Sequence, residues 1–168
     1  MSVILREYCD EDIAQMCEIW NEVVDDGVAF PQDEPLDANS GANFFESQTY
    51  CGIAEENGAI LGIYILHPNN VGRCSHISNA SYAVSSNARG RGIGKALVKD
   101  SLKKAKAFGF EILQFNAVVS TNFAARRLYE KLGFVQLGTI PRGFLMKNGE
   151  YEDICPYYFD LKKLFFKK

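Results

Sequence analysis

The sequence predicts a mixed α/β fold. Three observations carry that reading. Short apolar runs with strand spacing are separated by longer runs with apolar residues at i, i+3 and i+4. The two kinds of run alternate along the chain instead of forming separate blocks. One strand-like run also passes through a glycine-rich turn directly into a helix-like run, as α/β proteins do at their ligand sites. The 168 residues can bury a proper core and are read as a single domain over 1–168.

Taken in order, 3–6 is a short strand. Asp10 is placed to cap a helix with Ile13, Met16, Ile19, Trp20 and Val23 on one face. The stretch 25–39 contains two prolines and five acidic residues around Phe30 and reads as a loop. It is longer than a plain connection needs, so it either lines a site or is simply mobile. A short helix is expected at 42–47. Segments 50–55 and 60–66 form a hairpin about Glu56-Asn57-Gly58. His67-Pro68-Asn69-Asn70 breaks the chain before a strand at 77–84.

Ile93, Leu97, Ser101, Ala105 and Phe108 then recur at helical spacing until Gly109 stops the run. A strand follows at 112–119. Ser120 or Thr121 can cap a helix at 122–132, with Gly133 at its C′ position. Strands at 134–140 and 151–161 flank a loop at 141–150. The order is strand, helices, three strands, helix, strand, helix, two strands.

Composition narrows the function. The net charge of -3 gives no support for a nucleic-acid surface. Cys9, Cys17, Cys51, Cys74 and Cys155 are odd in number and widely spaced, and only His67 and His76 could join them. That pattern predicts no metal site and suggests free thiols in a reducing compartment. Arg6, Glu7 and Asp10 interrupt any leader-like apolar run, and no run reaches transmembrane length. The expectation is a cytoplasmic protein without membrane or nucleic-acid partners.

The chemistry concentrates at Arg89-Gly90-Arg91-Gly92-Ile93-Gly94-Lys95. Alternate glycines let successive backbone N–H groups turn toward one anion, and the helix that follows adds the positive end of its dipole. Arg89, Arg91 and Lys95 supply full charges. The bland alternative is a solvated basic turn. A Walker loop is excluded because Arg89 stands where it needs glycine and Ala96 where it needs Ser or Thr. The dinucleotide fingerprint is excluded because Lys95 occupies the position of its third small residue.

A second motif lies one helix and one strand downstream: Asn122-Phe123-Ala124-Ala125-Arg126-Arg127-Leu128-Tyr129-Glu130-Lys131-Leu132-Gly133-Phe134. Together with Arg89-x-x-Gly92-x-Gly94, it resembles the Gcn5-related N-acetyltransferase (GNAT) superfamily over about 75–138. The resemblance implies a mostly antiparallel central sheet of about six or seven strands, splayed at the fourth and fifth and flanked by about four helices. It implies acetyl-CoA as co-substrate, no metal, and a small-molecule amine as acceptor.

The resemblance also assigns roles. The N–H groups of Arg89, Gly90, Arg91, Gly92, Ile93, Gly94 and Lys95 would hold the CoA pyrophosphate. Ala83 and Val84 would pair through their backbone with the pantetheine amides. Asn116 and Asn122 lie where the family contacts CoA or orders the site, although Asn122 is equally a helix cap. Tyr129 would serve as proton donor to the departing thiolate, against the alternative of a tyrosine packing on an amphipathic helix.

The general base is open. No carboxylate lies on 77–84, leaving His76, Glu34, Glu46 or water. The stretch from Gly72 to Ala80 is similar to fungal N-acetyltransferases of proline analogues, which implies that Asn79 orients the acceptor; an edge role for Asn79 is the alternative. The stretch from Gly138 to Asp153 is similar to the phosphinothricin acetyltransferase group. Both imply a small amino acid or analogue as acceptor. Acetylation of a protein or peptide, and a non-catalytic CoA sensor, remain alternatives. The aromatic segments Tyr157-Tyr158-Phe159 and Leu164-Phe165-Phe166 are either core and tail packing or a homodimer seam.

Overall fold

The computed structural model describes residues 2–164. In chain order these form β1 (Ile4–Glu7), α1 (Ile13–Asp26), α2 (Ala38–Glu46), β2 (Tyr50–Glu56), β3 (Ala59–Pro68) and β4 (Ile77–Val84). Then come α3 (Ile93–Ala107), β5 (Ile112–Val119), α4 (Phe123–Leu132), β6 (Val135–Gln136), β7 (Ile140–Leu145) and β8 (Tyr151–Asp160). The strands make one sheet in the order β1-β2-β3-β4-β5-β8-β6, with β7 also paired to β8. Every pairing is antiparallel except β4 with β5. A parallel neighbour needs a long crossover, and α3 supplies it.

Helices cover both faces of the sheet. On one side Leu97 and Val98 of α3 pack with Tyr64, Leu113 and Tyr157. On the other, Met16 and Trp20 of α1 pack with Phe45, Ile53 and Ile63. β2 and β3 are therefore buried on both faces, and Gly52 is required where they meet. A Cβ there would stand 2.2 Å from the Tyr64 ring. Among the described residues no helix is long and apolar enough to cross a membrane.

Several boundaries differ from expectation. Asp10 does not cap α1; it opens a 3-10 turn, Asp10–Asp12. Asp12 sits at the helix entrance, and its carboxylate receives Arg6 at 2.7 and 3.0 Å and the Cys9 N–H at 2.8 Å. Arg6 also donates to Glu55 at 2.7 Å, so one guanidinium ties β1, β2 and α1 together. That guanidinium holds the buried Asp12 carboxyl down at about 2.

The long acidic loop begins at Gly27 and ends at Asp37. Its last residue accepts the Ser40 N–H at 2.7 Å and starts α2 earlier than apolar spacing suggests. The expected strand at 134–140 is broken. β6 keeps two residues, and β7 occupies much of the segment expected as a loop. Pro141 and the left-handed Arg142 (φ 55°) disguise it, because an edge strand with an irregular register tolerates both. Tyr157 is core, with 0 % exposure, and Phe159 packs on Phe134. Phe165 and Phe166 lie outside the described residues.

Candidate active site

β4 leads through a 3-10 turn, Ser86–Ala88, into the glycine loop and α3. Gly90 and Gly92 have φ of 78° and 81°, the left-handed region that other L-residues avoid. A Cβ at either would meet no atom within 4 Å, so conformation requires glycine here, not crowding. Gly92 is the N-cap of α3 and offers no capping side chain, and no acid lies in the first turn. Ala96 makes the first backbone bond, to Gly92 at 3.1 Å. The N–H groups of Ile93, Gly94 and Lys95 therefore remain available to an anion at the positive end of the helix dipole.

The cations around this loop are partly engaged. Arg89 pairs with Asp26 at 3.0 Å, and Arg91 pairs with Glu56 at 2.8 Å. Both pairs are solvent-exposed, where such contacts contribute little and a polyanion can compete for the guanidinium.

Beyond the loop the sheet opens. β4 and β5 pair only at Ile77–Ile112, Ser78–Leu113 and Asn79–Gln114. Further along, β5 follows β8 through an irregularity between Phe115 and Val118, and among the described residues no strand takes the vacated edge of β4. Asn79 sits at the last paired position, and its Nδ2 donates to the Gln114 carbonyl at 3.0 Å. Gln114 donates to Asn116 at 2.9 Å, and Asn116 donates to Asn69 at 2.6 Å. A chain of neutral amides thus marks where the strands part.

Tyr129 approaches the same opening from α4. Its ring lies 4.4 Å from Phe115, 5.6 Å from Phe134 and 6.5 Å from Tyr82, measured between centroids. The Tyr82 hydroxyl is occupied, 2.6 Å from Ser101. Among the described residues the Tyr129 hydroxyl has no hydrogen-bond partner. Burial pushes its phenol well above the ordinary value, so it holds its proton.

These parts line one cleft of about 960 Å³. Asn79, Val84, Arg89, Gly90, Gly92, Ile93, Gly94, Lys95, Asn116, Asn122 and Tyr129 all reach it. Two expected residues do not. Arg91 turns to Glu56 on the surface, and Ala83 is buried beneath α1, leaving only its backbone to offer. Asn122 realises its capping alternative, accepting the Ala125 N–H at 3.3 Å while also lining the cleft; Ser120 and Thr121 do not cap α4.

None of His76, Glu34 and Glu46 lines the cleft. Among the described residues its carboxylate is Asp26, the last residue of α1, already paired with Arg89. Asp26 and Met146 were not singled out from the sequence. The Asp26–Arg89 pair joins positions 63 apart, and Met146 is brought in when Lys147 donates to the carbonyls of Asp25 and Gly27. No local spacing signals either contact.

Comparison with known proteins locates this arrangement. The acetyltransferase (GNAT) family model matches residues 13–134. The N-acetyltransferase aca1 of Schizosaccharomyces pombe is 30% identical over 173 residues, covering 92% of this chain and 83% of that protein. A GCN5-related N-acetyltransferase from Kribbella flavida superimposes with a TM-score of 0.87 at 30% identity, over 94% of this chain and 97% of its own. A phosphinothricin acetyltransferase from Sinorhizobium meliloti, solved with acetyl-CoA, has a TM-score of 0.88 at 25% identity, over 95% and 89% of the two chains.

Proposed function

Because the chain belongs to the GNAT acetyltransferase family, we propose that it transfers the acetyl group of acetyl-CoA to the amine of a small amino acid or amino-acid analogue by direct attack. The observation that carries this reading is the union of the glycine loop and the unpaired β4 edge in one cleft. The loop N–H groups and the cations Arg89 and Lys95 hold the pyrophosphate. The β4 edge about Ala83 and Val84 pairs with the pantetheine amides as a neighbouring strand would. The thioester then lies in the fork between β4 and β5.

The acceptor nitrogen attacks the thioester carbon, and a backbone N–H near Val84 stabilises the oxyanion. The carbon–sulfur bond breaks and the electron pair leaves on sulfur. Tyr129, kept protonated by burial, donates a hydrogen bond to that sulfur as charge develops. The amine enters uncharged, and as the carbon–nitrogen bond forms its nitrogen gives up one proton to water, because the cleft's carboxylate is engaged by Arg89.

Release of free CoA thiol in the presence of a panel of small amines tests the reading. Amine-dependent release is expected. Tight acetyl-CoA binding with no release from any amine would leave a binding protein instead and would falsify the catalytic reading.

A further inference from the structure

Tyr129 can serve the departing sulfur only if α4 presents it at the fork, and apolar packing alone does not set that presentation. No residue of α4 is fully buried, and Leu128, Tyr129 and Leu132 meet the core only in part. Apolar contact is non-directional, so it holds the helix against the sheet without fixing its rotation.

A polar clasp supplies the direction. Tyr157 of β8 is fully buried, and α4 is fastened to its hydroxyl. That hydroxyl accepts from Nε of Arg126 at 3.1 Å and donates to the Glu130 carboxylate at 2.8 Å. A hydroxyl between a cation and an anion has both hydrogen-bond directions assigned, the guanidinium giving and the carboxylate taking. Residues 126 and 130 are about one helical turn apart on the same face, and Tyr129 lies between them in the chain. Arg126 also donates through Nη1 to the Ser120 carbonyl at 2.9 Å and through Nη2 to Gln136 at 3.3 Å. Its planar fork thus ties α4 to the end of β5, to β6 and to β8.

Strand register puts this clasp beside the fork. Tyr157 stands opposite Phe115 of β5, the last paired residue before the irregularity, and opposite Gln136 of β6. Phe115 is also the nearest of the aromatic neighbours of Tyr129, at 4.4 Å. Tyr157 itself does not line the cleft.

We infer that Tyr157 is a positioning residue: its hydroxyl, held between Arg126 and Glu130, sets the rotation of α4 and so aims the Tyr129 phenol at the sulfur. The inference rests on the reading of Tyr129 as proton donor given above. A group in that role must be held to on the order of 0.5 Å. Misplacing it leaves acetyl-CoA binding whole, so the loss falls on kcat.

A double-mutant cycle tests this, read as thiol release with the best acceptor from a panel of small amines. Tyr157→Phe keeps the ring and opens the clasp; kcat should fall by ~10-fold, with the dissociation constant for acetyl-CoA within about twofold. In the Tyr129→Phe background, where no phenol is left to aim, Tyr157→Phe should cost less than ~2-fold further. Glu130→Ala opens the same clasp from an exposed position, so the cycle built on it decides the matter should the core variant fail to fold. Equal losses in the two backgrounds would show a general loosening of the fold and overturn the inference, as would a wild-type kcat in Tyr157→Phe. Both of those results leave the catalytic reading intact. An unchanged kcat in Tyr129→Phe would remove the phenol from the chemistry and the inference with it, and no release from any amine would overturn the catalytic reading as well.

Discussion

Tyr129 draws its character from its neighbours. Four aromatic rings, those of Phe115, Phe134, Tyr82 and Tyr157, lie within 6.5 Å of its own. They desolvate the phenol and raise its proton affinity while its hydroxyl keeps to the cleft. A phenol in that state suits hydrogen-bond donation to a developing thiolate and is a poor base. Tyr129→Phe is expected to lower kcat by about 100-fold while leaving acetyl-CoA affinity within about twofold, read by steady-state kinetics and calorimetry. An unaltered kcat would remove Tyr129 from the chemistry. The sequence motif that singled out Tyr129 contains only one of these rings, Phe134, because the other three come from β4, β5 and β8.

At the scale of elements, two junctions carry most of the consequences. The first is the entrance to α3. Gly92→Ala forces an L-residue to φ 81°, costing about 1–2 kcal/mol unless the loop rearranges. Either response disturbs the N–H array, and the dissociation constant for acetyl-CoA should rise about tenfold, measured by titration. Unchanged donor affinity would mean that the loop does not bind the pyrophosphate. The second junction is the Arg6 clasp. Asp12 has a folded value of about 2 against an ordinary 3.8. Its contribution is complete above about pH 5 and is lost as pH falls between about 4 and 2, where the unfolded chain takes up the proton first. Asp12→Asn should lower stability by about 2 kcal/mol at pH 7 and flatten the acid side of the stability profile, followed by denaturant melts. An acid limb as steep as that of the wild type would show that Asp12 is not its source.

For the whole molecule, the central strands leave little room for change. Gly52→Ala would set a methyl against the Tyr64 ring between two packed layers, where overpacking typically costs about 1–3 kcal/mol. A fall in melting temperature of about 2–10 °C is expected in calorimetry. The cleft should survive, since Gly52 does not line it. A variant with wild-type stability would imply that Tyr64 swings aside, although its hydroxyl donates to Asp100 at 2.7 Å.

Much of this was readable along the chain. The period-two runs gave six strands at nearly their observed places, the loop 89–95 announced an anion site, and the pairing of that loop with the Tyr129 motif indicated the family. Those features are local: side-chain alternation, glycine conformation and helix capping act over a few residues. The fork between β4 and β5 was expected through the family resemblance alone, and the concealed strand β7, the Arg89–Asp26 pair and the neutral amide row were decided by tertiary structure. Each depends on residues tens of positions apart arriving at one place, which no spacing rule encodes. The sequence alone thus indicated the family and the glycine loop's free backbone N–H groups, whereas the charge and shape of the far end of the cleft exist only once the sheet has parted and the α1–α2 loop lies against Lys147.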